Sequence, residues 1–187
     1  MKSGSSQLVL TRWAAPELVL RQGDRSLMEG VVNLAVSYPY PHSVLGGPAA
    51  GAYVERLAAR AQHPGEGWYA VRHLGEVMAA AHLCVYGVGD GSSHTLWKVR
   101  HPLFAAGRPT ECLAFLFDGV AEVAAKLRPG TAKLVIFLSE YEQEVMLQAC
   151  NAGFEREACF KDYYRLGEAC FVYGKTVTQE QVKNNGM

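Results

Sequence analysis

Two titratable side chains stand where predicted strands end. His101 closes the run His94–His101, and Glu140 follows the apolar run Ala132–Leu138. Open α/β sheets bind ligands at strand ends of this kind, and an imidazole or a carboxylate placed there can accept a proton. The alternative is that both are solvent-exposed surface side chains. The sequence leaves these two interpretations open.

Tyrosines are concentrated in two other segments. Tyr38, Tyr40 and His42 alternate with two prolines, which hold this piece extended after the first predicted helix. Tyr163 and Tyr164 are neighbours in a predicted strand near the end of the chain. Aromatic faces can enclose an apolar or cationic group. The alternative, again left open, is a rigid aromatic plug on the core.

Length and charge narrow the class of protein. The 187 residues are enough for one domain with a sizeable core. We expect a polar, disordered tail at residues 1–7, one domain over 8–177 and a second disordered tail at 178–187. The 18 basic and 18 acidic side chains cancel. This balance predicts neither nucleic acid nor an anionic membrane as the main partner.

The cysteines predict a reducing compartment. There are five, an odd number, scattered without a CxxC pair. The polar start of the chain does not resemble a signal peptide. We therefore expect reduced core thiols in a cytoplasmic protein. No Cys/His spacing typical of a metal site occurs, so no metal is predicted.

Periodicity predicts the element order β-α-α-β-β-β-α-β-α-β-β. The second helix is expected over Pro48–Gln62 and the long third helix over Thr110–Leu127. The fourth strand, His94–His101, is expected to stop at Pro102. The sixth strand is expected over Phe154–Leu166. The strand–helix–strand unit from His94 to Leu138 should form a right-handed crossover between parallel neighbours.

Three segments together resemble the GNAT superfamily of acyl-CoA-dependent N-acyltransferases. They are the hairpin AVRHLGEVMAAAHL at 70–83, the strand–loop–helix unit at 95–127 and NAGFEREACFKDYYRLGEACFVYGKTV at 151–177. The resemblance covers almost the whole chain. It implies an α/β fold with a mixed, mostly antiparallel central sheet, a splayed parallel strand pair and helices on both faces.

The resemblance also implies where an acyl-CoA donor would bind. Unpaired peptide groups of the fourth strand near Val99 and Arg100 would bond the pantetheine arm, as an added strand would. The pyrophosphate would lie at the N-terminus of the long helix, where free N–H groups and the helix dipole favour an anion. The positions that match this loop are Gly107, Arg108, Pro109 and Thr110.

Catalytic roles follow from the same resemblance. An amide near Val99 or Arg100 would stabilise the oxyanion, and His101 or Glu140 would take the proton of the amine. Tyr141, Tyr163 or Tyr164 could supply a hydroxyl for the leaving thiolate. The acceptor would contact the aromatic residues named above, namely Tyr38, Tyr40, His42, Tyr163 and Tyr164.

The sequence thus predicts an N-acetyltransferase that uses acetyl-CoA as donor, no metal, and a primary amine of a small molecule or peptide as acceptor. It is expected to be a monomer or a homodimer. Two alternatives stay open. One is an acyltransferase for a longer acyl-CoA or an acyl-carrier-protein donor, since Gly107 is the only glycine in the donor loop and Pro109 has no N–H. The other is a non-catalytic binding or sensor module with the same fold.

Overall fold

A computed structural model describes residues 17–20, 25–40, 45, 49–88, 94–105, 111–127 and 130–180. The described strands are β1 (Glu17–Leu20), β2 (Gly67–His73), β3 (Glu76–Val88), β4 (His94–Phe104), β5 (Thr131–Ser139), β6 (Glu155–Phe160) and β7 (Cys170–Thr178). The described helices are α1 (Arg25–Val36), α2 (Ala50–Ala58), α3 (Glu111–Leu127) and α4 (Gln143–Asn151). Their order along the chain is the predicted one.

The strands form one mixed sheet in the order β1-β2-β3-β4-β5-β7-β6. β4 and β5 are parallel and are joined through α3, whereas the other neighbours are antiparallel. The predicted mixed, mostly antiparallel sheet is therefore confirmed. The central β4–β5 pair is the place where the sheet changes from antiparallel to parallel pairing.

Helices pack on the sheet through apolar stripes. The buried face of α3 repeats at helical spacing and is made of Leu113, Leu116, Phe117, Val120, Ala121, Ala124 and Ala125. α1 lies very close to β3, because a Cβ atom at Gly30 would stand 2.4 Å from Cγ2 of Val77. A side chain at position 30 would therefore push α1 away from the sheet.

α2 is shorter than the predicted Pro48–Gln62. It ends at Ala58, where the chain tightens through a hydrogen bond from the Arg60 N–H to the Leu57 carbonyl. The Gln62 and His63 amides instead donate to the carboxylate of buried Glu66, which also accepts from Val85 N–H in β3. Burial alone would raise the pKa of Glu66, but these three N–H donors outweigh it and lower the pKa.

β4 passes through Pro102 rather than stopping there. Ala80 pairs with Leu103 and His82 with Arg100, so β4 contains one more residue than β3 in this interval. The extra residue makes a bulge at His101, whose φ of 49° lies in the left-handed region. Proline is tolerated at a bulge because its missing N–H leaves no ladder bond unmade. The prediction that Pro102 ends the strand is therefore wrong.

The predicted strand Phe154–Leu166 is also too long. β6 covers Glu155–Phe160, and residues 161–167 form an exposed turn that leads toward β7. The Asp162 carboxylate accepts a hydrogen bond from Gly167 N–H, and both residues have positive φ. Tyr163 and Tyr164 consequently lie on a turn and not on a strand.

The ends of the chain bear on the predicted domain limits. The tail expected at residues 1–7 lies outside the described residues, as do residues 181–187 of the tail expected at the other end. β7 continues to Thr178, one residue beyond the predicted limit of the domain.

Candidate active site

The central strands β4 and β5 separate part of the way along their length. Their parallel register runs from His94 and Thr131 to Val99 and Ile136. Beyond that point β4 stays paired with β3 and β5 stays paired with β7. The bulge at His101 lies just past the last pair, where β4 turns away. The predicted splayed strand pair is thus confirmed, and its mouth opens at the carboxyl ends of both strands.

A cavity of about 260 Å³ lies at this mouth. Its aromatic lining consists of Tyr38, Tyr40, Tyr53, Phe137, Tyr163 and Tyr164. Its charged lining consists of Lys98, Arg100, Glu142 and Glu168, and Val99, His101, Pro102 and Ser139 complete the wall. The volume is near the lower limit of ordinary ligand pockets, so it suits one small molecule or the end of a larger one.

Two carboxylates form an acidic end of the cavity around Ser139, the last residue of β5. The Glu142 carboxylate accepts hydrogen bonds from the Tyr38 hydroxyl at 2.6 Å and from the Ser139 N–H at 2.8 Å. The Ser139 hydroxyl donates to buried Glu168 at 2.6 Å. Burial, reinforced by the Glu142 charge, raises the pKa of Tyr38 well above its ordinary value. Tyr38 therefore remains a hydrogen-bond donor that fixes the carboxylate.

His101 and Tyr53 form a pair on the opposite wall. The Tyr53 hydroxyl and Nε2 of His101 are 2.9 Å apart, and the two rings meet edge to face. Burial, followed by the positive charge of Arg100, lowers the pKa of His101 to about 3. The imidazole is therefore neutral at pH 7, and one of its nitrogens can donate while the other accepts.

Lys98 and Arg100 stand two residues apart on one face of β4, and both line the cavity. The Lys98 ammonium lies 3.8 Å from the centre of the Phe137 ring and 5.3 Å from that of Tyr86. Burial and the neighbouring Arg100 charge lower the pKa of Lys98. This side of the cavity is positive, in contrast to the side formed by Glu142 and Glu168.

The turn between β6 and β7 supplies the outer wall. Tyr163 packs on Phe137 with ring centres 6.0 Å apart and on Tyr164 with ring centres 4.9 Å apart. The Tyr164 hydroxyl donates to the Phe137 carbonyl at 3.4 Å. Burial raises the pKa of Tyr164, so its hydroxyl stays protonated. Both rings are about half exposed and form a rim between the cavity and solvent.

Several predicted site residues meet at this cavity. These are Tyr38, Tyr40, Val99, Arg100, His101, Tyr163 and Tyr164. Glu140 and Tyr141 are outside its lining. The Glu140 carboxylate accepts from the Ala169 N–H at 3.0 Å, which directs it toward the start of β7, and Tyr141 is half exposed. Gly107, Arg108, Pro109, Thr110 and His42 lie outside the described residues.

The sequence did not single out several lining residues, among them Tyr53, Lys98 and Glu142. Glu142 is only two residues past Glu140, and a turn decides which carboxylate faces the cavity: its N–H bonds back to the Ser139 carbonyl at 2.9 Å. Lys98 falls within the expected fourth strand, His94–His101, and Tyr53 within the expected second helix, Pro48–Gln62, and neither was given a role. The usable signal was a carboxylate within a few residues of the end of a buried strand. Both Glu140 and Glu142 satisfy it.

Neither a metal cluster nor a membrane helix occurs in the part of the chain that the structure describes. No three His, Cys, Asp or Glu side chains there are grouped as ligands of an ion would be. None of the helices in those same ranges is long and apolar enough to cross a membrane.

Comparison with known proteins identifies the fold. No protein-family model matches the sequence, and no curated protein matches it significantly. Solved structures match at low identity over most of both chains. A GNAT-family acetyltransferase from Bacillus cereus has a TM-score of 0.62 at 10% identity, covering 87% of this chain and 97% of its own.

Two further solved structures carry informative descriptions. Arabidopsis thaliana Naa50 in complex with the bisubstrate analogue CoA-Ac-MVNAL has a TM-score of 0.61 at 16% identity, covering 87% of this chain and 99% of its own. The aminoglycoside 6'-N-acetyltransferase from Enterococcus faecium has a TM-score of 0.57 at 11% identity, covering 87% and 97%. The chain therefore has the GNAT fold.

Proposed function

We propose that this protein is an N-acetyltransferase that moves an acetyl group from acetyl-CoA to a primary amine. The observation that carries the proposal is the cleft between β4 and β5, which opens into a cavity with a fixed carboxylate. The solved structures with this fold include one bound to a CoA-acetyl analogue. Fold alone does not determine function, and the side chains of the cavity are the groups that would carry out the chemistry.

The donor is assigned to the cleft. Its pantetheine arm would lie between the separated strands and bond the peptide groups of β4, as an added strand would. Its thioester carbonyl would accept hydrogen bonds from the amides near Val99 and Arg100, which hold the oxyanion of the tetrahedral intermediate. Contact of Gly107, Arg108, Pro109 and Thr110 with the pyrophosphate stays a prediction from the sequence.

Glu142 is assigned to the amine. Its carboxylate lines the cavity and is held by Tyr38 and by the Ser139 amide, which places it to accept a hydrogen bond from an ammonium group. The bound ammonium first loses one proton to solvent, since only the neutral amine has a lone pair for attack. As that nitrogen attacks the thioester carbon, a second proton becomes strongly acidic and passes to Glu142. His101 is a poor candidate for the same step, because a pKa of about 3 makes it a weak base.

Tyr53 and His101 are assigned to the leaving thiolate. In the tautomer with a proton on Nε2, His101 donates to the Tyr53 oxygen and leaves the Tyr53 hydroxyl free to point into the cavity. The carbon–nitrogen bond forms, the carbon–sulfur bond breaks, and the thiolate takes the Tyr53 proton. Solvent then returns a proton to Tyr53 and removes one from Glu142. In this scheme His101 is a positioning residue rather than a base.

Two measurements test the proposal. Calorimetry with acetyl-CoA should show binding, and thiol release in the presence of a panel of primary amines should show turnover that depends on both substrates. Preference for a longer acyl-CoA or for an acyl-carrier-protein would instead favour the first alternative from the sequence. An absence of donor binding at millimolar acetyl-CoA, together with an absence of turnover, would favour a non-catalytic module.

A further inference from the structure

Two cations face the cavity without an acidic partner. Within the described ranges, neither Lys98 nor Arg100 has a carboxylate oxygen within 4.0 Å, although four other ion pairs occur there. The positive charge of Arg100 lowers the pKa of Lys98, His101, His82 and Cys84. Half-buried like charges on neighbouring positions repel each other unless an anion lies between them.

The Lys98 ammonium is held in place by aromatic rings. The Lys98 stem packs so that its ammonium lies over the Phe137 ring, with Tyr86 on another side. The Arg100 side chain is half-buried at the same wall. A lysine–arginine pair that borders a cavity and has no carboxylate partner among the described residues is suited to bind a carboxylate or a phosphate.

The acidic and cationic ends are separate parts of the same cavity. The two cations are on β4, with the Lys98 ammonium over the Phe137 ring, whereas the carboxylates of Glu142 and Glu168 are held beside Ser139 at the end of β5. The lining thus has carboxylates at the end of β5 and cations on β4.

We propose that the acceptor is a small amine that also bears an anionic group, so that it binds as a zwitterion. Its ammonium would meet Glu142 and its carboxylate or phosphate would meet Lys98 and Arg100, while its apolar body would contact the aromatic wall. The cavity of about 260 Å³ fits a molecule of modest size. This inference rests on the proposed acetyl transfer and assigns its substrate class.

The test uses amines in matched pairs. Phenylalanine is compared with 2-phenylethylamine, 4-aminobutyrate with butylamine, and phosphoethanolamine with ethanolamine, each with acetyl-CoA and thiol release as the readout. We expect the anionic member of at least one pair to have the higher kcat/KM, by about 10-fold or more at low salt. The first two pairs report on a carboxylate and the third on a phosphate. Equal kcat/KM within every pair would overturn the inference.

A variant connects the preference to the two cations. Lys98→Met should raise KM for the anionic member by about 10-fold or more and reduce the ratio of kcat/KM within the pair toward one. Lys133→Met is the matched control, since Lys133 is in β5, outside the cavity lining, and pairs with Glu157. It should keep the wild-type ratio. A wild-type ratio in Lys98→Met would contradict the assignment.

A binding experiment without donor separates this inference from the proposed function. The anionic probes are titrated into the wild-type protein and Lys98→Met, and binding is followed by calorimetry, with thermal unfolding as a check on folding. If Lys98→Met weakens binding of the anionic probes and no acetyl transfer occurs, the anion site is kept and the transferase function is rejected. If amines are acetylated without any preference for the anionic members, the transferase function is kept and the anion site is rejected.

Discussion

Glu140 and Glu142 show how a turn of three residues selects one carboxylate for the site. Both follow the buried strand β5, yet Glu140 bonds the Ala169 amide and Glu142 bonds Tyr38 and Ser139. The difference is a consequence of chain reversal at Ser139 and not of side-chain chemistry. Activity measurements on the two positions can therefore distinguish the assigned role from a general effect of lost charge.

Glu142→Gln should lower kcat by about 10²–10⁴-fold, because the amide cannot take a proton from the amine. Glu140→Gln is the control, since its side-chain carbonyl can still accept from the Ala169 N–H. It should retain activity close to that of the wild type. Thiol release at saturating donor measures both. Equal losses in the two variants would show that Glu142 is not the proton acceptor.

At the scale of single residues, the sequence predicted the kinds of side chain better than their directions. Tyr38, Tyr40, Arg100 and His101 were expected at the site and do line the cavity. The roles that the sequence assigned to them stay predictions. Tyr53 approaches His101 from α2, 48 positions earlier in the chain. Such a contact depends on tertiary packing, for which a single sequence contains no local signal.

At the scale of elements, the β2–β3 hairpin contains a strained residue. The two-residue turn is Leu74–Gly75, with φ of 51° and 85°, and Leu74 is 81% exposed. Two positive φ values in a two-residue hairpin loop correspond to the turn that Asn-Gly favours. A leucine in this region pays a steric cost that asparagine largely avoids.

Leu74→Asn should therefore stabilise the fold, by about 0.5–1 kcal/mol. Leu74→Val provides the opposite test, because a β-branched residue is disfavoured at positive φ and should destabilise. Urea unfolding of the two variants and the wild type gives the order. If the Leu74→Val protein were as stable as the Leu74→Asn protein, the backbone strain inferred for Leu74 would be absent.

The order of elements was predictable because each element has its own periodicity. The stripe of α3 and the apolar run of β5 are local patterns, and the structure has both within one residue of the predicted limits. The errors are at the limits of α2, at Pro102 and at residues 161–167. A bulge is visible only when the register with β3 is known, and the turn that begins at Asp162 interrupts a segment rich in strand-forming residues.

At the scale of the whole molecule, burial of neutral histidine makes stability depend on pH. His82 is 3% exposed and packs edge to face on Trp68. Burial, followed by the Arg100 charge, lowers its pKa from the ordinary value of 6.5 to about 4. Below pH 6.5 the unfolded chain gains a proton at His82 that the folded chain does not take up until about pH 4. The stability present above pH 6.5 is consequently lost as the pH falls.

His82→Leu should reduce this acid sensitivity. A single histidine of this kind contributes a slope of up to about 1.4 kcal/mol per pH unit between its two pKa values. The free energy of unfolding of the variant should thus fall less steeply than that of the wild type between pH 6.5 and 4. Urea titrations at several pH values measure both slopes, and identical slopes would rule out His82 as a source of the acid sensitivity.

The turn at residues 161–167 has a consequence for how this protein can diversify. It contributes Tyr163 and Tyr164 to the cavity, yet it is exposed and is closed by its own contact between Asp162 and Gly167. Residues in such a position can be exchanged with little effect on the packed sheet. Changes among these seven surface residues could thus reshape the rim of the cavity while the packed sheet beneath it stays unaltered.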